Sequence, residues 1–134
     1  MKKKISQVLI ESQTTRKQVI GSLFAHAKKI KEIQSYCAMG ALMCESELLI
    51  DSDNRDDPRI QFPSDSVIID HFAGKGSNYF KRIVICQFCK DGKDGFSKRN
   101  PHQPASVGSY IIHLNDNHQK TFEEIGKEME KLGL

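Results

Sequence analysis

Cys86-Gln87-Phe88-Cys89, read together with His113-Leu114-Asn115-Asp116-Asn117-His118, decides how the C-terminal half of this chain is built. The pattern is C-x2-C-x23-H-x4-H. Two thiols on one tight turn and two imidazoles near a helix end form a tetrahedral donor set suited to Zn²⁺. The cysteine spacing works because a zinc knuckle aims two sulfurs at one metal. The histidine spacing is harder. On a continuous helix, residues five apart point about 140° away from each other. His113 and His118 therefore share a metal only where the helix loosens. Asn115-Asp116-Asn117 allows this, because Asn tolerates the left-handed conformation that ends helices. The gap from Cys89 to His113 is about double that of the simple ββα finger, so the intervening loop is an insertion or the module is a different zinc fold. His102 is the reserve ligand should His118 fail.

The competing reading of Cys86 and Cys89 is a redox pair or a pair of unligated core thiols. A redox C-x2-C opens a helix in a βαβ setting. Here a loop with Gly92, Gly95, Pro101 and Pro104 follows instead. With Cys86, Cys89, His113 and His118 all bound, the metal has no open position for water, so the predicted Zn²⁺ is structural and not catalytic.

Working outward, Arg82-Ile83-Val84-Ile85 is β-branched and reads as a short strand delivering Cys86 into its turn. Ser106 caps a helix with Val107, Tyr110, Ile111 and Leu114 on its apolar face. Thr121 with Glu124 makes a capping box for a last helix that buries Phe122, Ile125, Met129 and Leu132 and stops at Gly133. Toward the N-terminus, Ile5, Val8 and Leu9 predict a short first helix. Thr14 or Thr15 is placed to cap a second, with Val19, Ile20, Leu23, Phe24, Ala27 and Ile30 at helical spacing and Arg16, Lys17, Lys28, Lys29 and Lys31 facing out. A third helix is expected over residues 36–49, carrying Cys37, Ala41, Cys44 and Leu48 on one face. Its small Gly40 and Ala41 let another helix approach closely, and Cys37 and Cys44 read as buried structural thiols. Ser64 or Asp65 caps a short helix through Val67, Ile68 and Phe72.

Two motif-like stretches fail on inspection. Asp51 to Pro58 begins like a calcium loop, but Arg55 takes a ligand position and the required Gly and final Glu are missing. Gly74-Lys75-Gly76-Ser77 lacks the G-x4-G-K-[ST] order of a phosphate loop and reads as a turn. The fold class is thus mainly α (α+β): a compact helical domain with a short β-strand and zinc-knuckle element near the C-terminal helices. Residues 1–134 form one domain, with a helical half over 1–73 and a zinc-knuckle half over 80–134.

The totals agree with a small soluble domain: 134 residues, 38% hydrophobic and 28% charged. Lys2-Lys3-Lys4 has no apolar stretch behind it, so it is not a secretory signal, and no run approaches the ~20 apolar residues of a membrane helix. A cytoplasmic location is expected, where cysteines serve as thiols or metal ligands and not disulfides. The net charge of +3 is unevenly spread. Residues 1–31 hold eight Lys/Arg against Glu11 alone, and residues 75–99 hold seven against Asp91 and Asp94. Residues 45–57 hold six acids against Arg55. Such blocks steer an anionic partner or simply solvate a face; a pI of 8.7 falls short of a dedicated nucleic-acid domain.

Tyr36-Cys37-Ala38-Met39-Gly40-Ala41-Leu42-Met43-Cys44 is similar to a "yCclGaLcd" segment of small uncharacterised proteins of phages and prokaryotes. Leu114-Asn115-Asp116-Asn117, with Thr121-Phe122-Glu123-Glu124-Ile125-Gly126, is similar to their C-terminal "LNDn…tFeeIAdyIe" segment. The resemblance covers about a quarter of the chain and implies an α-rich fold in which the Cys37 helix packs on the C-terminal helix. It carries no activity or catalytic residue.

Two functional classes follow. The first is a zinc-stabilised, non-catalytic interaction module whose partner is protein or nucleic acid. Its contacts would be Lys93, Lys98 and Arg99 on the loop and Lys28 and Lys29 on the basic face of the second helix. Only Phe96 among the aromatics sits in the basic loop, so base stacking has little support. The second is a small hydrolase or nuclease using Asp116 with His113 or His118, or Asp70 with His71. No nucleophile–base–orienter set assembles around them. No small-molecule substrate is indicated.

Overall fold

The computed structural model describes residues 3–25, 27–53, 56, 59–79, 86, 88 and 106–134. Among them are five α-helices: α1 (Ile5–Thr15), α2 (Ala38–Ser46), α3 (Asp65–Ala73), α4 (Val107–Asp116) and α5 (Phe122–Lys131). No sheet forms among the described residues; isolated bridges pair Gln18 with Tyr36 and Ile50 with Gln61. The mainly helical class holds. The predicted strand over 82–85 and the loop over 90–104 lie outside the described residues.

Helix starts follow their caps. Ser64, Ser106 and Thr121 each accept a hydrogen bond from the amide three residues on, and Glu124 returns the bond to Thr121. At α2 the cap is Cys37, whose Sγ accepts from the Gly40 amide at 3.3 Å. That helix is therefore shorter than predicted, and Cys37 stands at its start, still buried. At the far end of α5, Gly133 takes φ +79 and its amide closes on Glu130.

The segment between α1 and α2 departs from expectation. Helix α1 runs on to Thr15, and the Thr14 and Thr15 hydroxyls donate back to the Glu11 carbonyl instead of capping a new helix. No second helix follows. The described residues from Arg16 to Tyr36 are irregular apart from a 3₁₀ turn at Ile30–Glu32. Gly21 takes φ +84, which interrupts the apolar stripe, and Ile20 is 47% exposed. The backbone here bonds to distant residues: Tyr36 to Lys17, Val19 to Tyr36, Cys37 to Leu23. These tertiary partners override the helical spacing. Asp51 accepts from the Ile30 amide at 2.7 Å and holds the 3₁₀ turn.

The core gathers Ile5, Val8 and Leu9 of α1, Met39, Leu42 and Met43 of α2, Ile68 and Ile69 of α3, Ile111 and Leu114 of α4 and Phe122, Ile125 and Met129 of α5. Helix α5 packs mainly on α1, and α2 on α1, α3 and α4. A Cβ on Gly126 would lie 2.7 Å from Ile10 Cγ1, so glycine sets the α1–α5 approach. At Gly40 the close neighbour is not a helix but the Leu23 backbone; a Cβ there would overlap the Leu23 carbonyl oxygen. An ion cluster ties α1 to α2: Arg16 reaches Glu45 at 3.1 Å and Ser12 at 3.0 Å, and lies over the Tyr36 ring. Burial pushes the Glu45 carboxyl up, but hydrogen bonds from Arg16 and Lys3 outweigh it and leave the pKa lowered.

Candidate metal centre

Helix α4 places His113 by its amphipathic turn. Val107, Tyr110, Ile111 and Leu114 face the core, while His113 is also buried, toward Cys86. Beyond Asp116 the helix unwinds: the His113 carbonyl accepts from Asn117 at 2.9 Å and from His118 at 3.4 Å, an i→i+5 widening. The Lys120 amide then bonds back to the Leu114 carbonyl at 3.0 Å. The left-handed residue of this ending is Gln119, φ +51, and not one of the Asn-Asp-Asn residues; Asn117 stays right-handed. The consequence anticipated from the spacing is nevertheless reached. The two imidazoles meet edge to face with centroids 4.6 Å apart.

Cys86 completes the group. Its Sγ lies 3.3 Å from His118 Nε2, and the ligand atoms of Cys86, His113 and His118 all fall within 4.8 Å of one another. Tetrahedral zinc with Zn–S of ~2.3 Å and Zn–N of ~2.0 Å sets S···N near ~3.5 Å. The donor types and spacing fit, so these three side chains can hold a metal ion. Cys86 is 2% exposed and His113 5%, while His118 is half-buried.

Surrounding contacts orient the donors. His113 Nδ1 lies 3.2 Å from Asn117 Oδ1. In the tautomer with the proton on Nδ1, this contact is a hydrogen bond to the amide oxygen that orients the ring. Phe88 stands against the His118 ring at 5.9 Å, and Lys120 Nζ sits 4.1 Å over the Phe88 ring. Such a cation over an aromatic face holds the cover in place.

Of the predicted ligands, the structure brings together Cys86, His113 and His118; Cys89 and the reserve His102 lie outside the described residues. So do Lys93, Lys98 and Arg99. Lys28 and Lys29 are exposed, on an irregular segment and not a helix face, and their amides both donate to Glu32 Oε1 at 3.2 Å. Arg16, assigned to the same basic face, is committed to Glu45 and Ser12. The acids considered for catalysis hold backbone: Asp70 Oδ1 accepts from Asn78 N at 3.2 Å, and Asp116 Oδ1 from Gly21 N at 3.0 Å.

Sequence reasoning missed the residue between the ligands. Asn115 is fully buried. Its Oδ1 accepts from Gln18 Nε2 at 2.8 Å and Ala38 N at 3.0 Å, and its Nδ2 donates to the Val19 carbonyl at 3.0 Å and Asp116 Oδ1 at 2.8 Å. Gln18 also donates to the Lys120 carbonyl at 2.7 Å and accepts from Phe122 N at 3.2 Å. The only signal was an Asn on the buried side of an otherwise apolar helix face. No family model, curated protein or solved structure matches this chain.

Proposed function

We propose that this chain is a small zinc-stabilised interaction module without catalysis, in which Cys86, Cys89, His113 and His118 bind one Zn²⁺. The observation that carries the reading is the convergence of Cys86 with two histidines that a continuous helix would hold apart. Cys89 enters as the fourth ligand on the C-x2-C spacing. A closed Cys2His2 set stabilises structure and leaves no place for a water nucleophile. Thiolate ligation also suits a reducing, cytoplasmic setting. The contact surface is Lys28 and Lys29 with Lys93, Lys98 and Arg99, and the partner is acidic: a nucleic acid or an acidic protein face.

Metal analysis of protein purified without chelator tests the first part, with one zinc per chain expected. Cobalt substitution then counts thiolates from the intensity of the sulfur-to-metal absorption. Two thiolates and no bound water are expected. One thiolate with an exchangeable water would give the metal an open position and turn the reading toward hydrolytic chemistry. Binding that falls steeply between two salt concentrations supports the basic contact surface and a nucleic-acid partner; weak salt dependence points to a hydrophobic protein partner and away from that surface.

A further inference from the structure

We infer that the metal centre is a latch on the chain segment 17–21, so that metal occupancy sets whether this segment is docked against α2 and α4. The inference rests on the zinc reading above. Its basis is where the segment's hydrogen bonds go. Gln18, Val19 and Gly21 are bound by Asn115 and Asp116, the residues that lie between His113 and His118. Gln18 is bound as well to Lys120 and Phe122, just past the second ligand. The six residues from His113 to His118 thus carry both histidine ligands and two of the segment's anchors, Asn115 and Asp116.

Apart from these anchors, residues 17–19 are held by a two-bond bridge to Tyr36. A bridge of that size is marginal in water. Gly21, at φ +84 with open space where a Cβ would stand, supplies a hinge before the segment is pinned again by Phe24 in the core. Metal bound to both imidazoles would fix the widened i→i+5 turn past Asp116, and with it the Lys120 and Phe122 backbone that grips Gln18 from beyond the turn, while Asn115 grips it from within α4. Without metal, a turn that rewinds toward regular helix moves His118, Lys120 and Phe122 relative to Asn115 and opens that grip. Coupling of this kind is reciprocal: a docked segment tightens metal binding by the factor by which metal stabilises docking.

The test is residue-resolved amide exchange on the full chain, with zinc bound and after a zinc chelator. Exchange at Val19 and Gly21, whose amides donate to the Tyr36 carbonyl and to Asp116, is expected to speed at least tenfold on chelation. Exchange in α3 is expected to stay within about twofold. A second measurement covers the case in which the chelated protein unfolds throughout. Zinc affinity of Gln18→Ala, by competition with a chromophoric chelator, is expected to fall about threefold to tenfold, while the exposed Lys31→Ala keeps the wild-type value. No zinc uptake at all overturns the metal reading and this inference with it. Zinc uptake with unchanged exchange at Gly21 and unchanged affinity in Gln18→Ala overturns the latch alone.

Discussion

Replacing Asn115 with Ala separates a scaffold role for this residue from a functional one. The change deletes four hydrogen bonds, to Gln18, Ala38, Val19 and Asp116. Each is worth about 1 kcal/mol net. The Ala38 amide is buried and would be left without its acceptor, which adds about 1–3 kcal/mol. The Gln18 and Val19 groups are only half-buried and recover part of their bonding from water. The net loss comes to about 4–6 kcal/mol, a large share of the ~5–15 kcal/mol that holds a domain together. At this chain length it lowers Tm by roughly 15 °C. Urea melts of metal-free protein are the assay, with Asn117→Ala as comparator. Asn117 is exposed and contacts only the edge of the site, so its loss should cost less than ~1 kcal/mol. An Asn115→Ala protein within ~1 kcal/mol of wild type would refute the scaffold role.

Four further outcomes are expected. Gly40→Ala drives a Cβ into the Leu23 carbonyl and to 3.2 Å from Phe24 Cε1, an overpacking that costs about 1–3 kcal/mol in a chemical melt. Cys86→Ser in zinc should melt where chelated wild type melts, well below the zinc-bound form; equal melting temperatures for all three would deny a structural metal. Asn117→Ala frees the His113 tautomer and should weaken zinc binding about tenfold or more, measured by chelator competition, with little change in metal-free stability. Burial pushes the Cys37 thiol up to about 11, so it ionises first in the unfolded chain. The stability it contributes is intact below its ordinary pKa near 9 and lost as pH climbs from there toward 11, a decline that Cys37→Ala should flatten.

The parts of the fold legible in the sequence are those decided within one turn of chain. Ser64, Ser106 and the Thr121–Glu124 pair marked helix starts because a cap needs only the next three residues. The apolar faces of α4 and α5 were read from spacing for the same reason. Residues 16–36 were misread because their conformation is set at long range. Gln18 and Val19 bond to a residue about a hundred positions away, and no periodicity within the segment reports that. Thr14 and Thr15 were ambiguous in themselves, since a threonine hydroxyl serves either end of a helix. Three of the four proposed ligands lie among the described residues and meet, because ligand chemistry constrains spacing more tightly than folding does.

Tyr36–Cys44 and the LNDN segment are joined in the structure by a hydrogen bond from the Ala38 amide to Asn115 Oδ1. Neither stretch needs an active site to explain its residues. Gly40 is required by the Leu23 backbone, Asn115 by four polar partners, and Asp116 by the Gly21 amide. Together they form a polar clamp where α2, α4 and α5 and the irregular segment meet. His113 and His118 stand on the two shoulders of that clamp, one on the last turn of α4 and one just past it. A metal drawn to those shoulders does not stabilise a peripheral finger. It would sit beside the hydrogen bonds that hold Gln18, Val19 and Gly21, so removal of zinc should be felt at Gly21 as well as at Cys86.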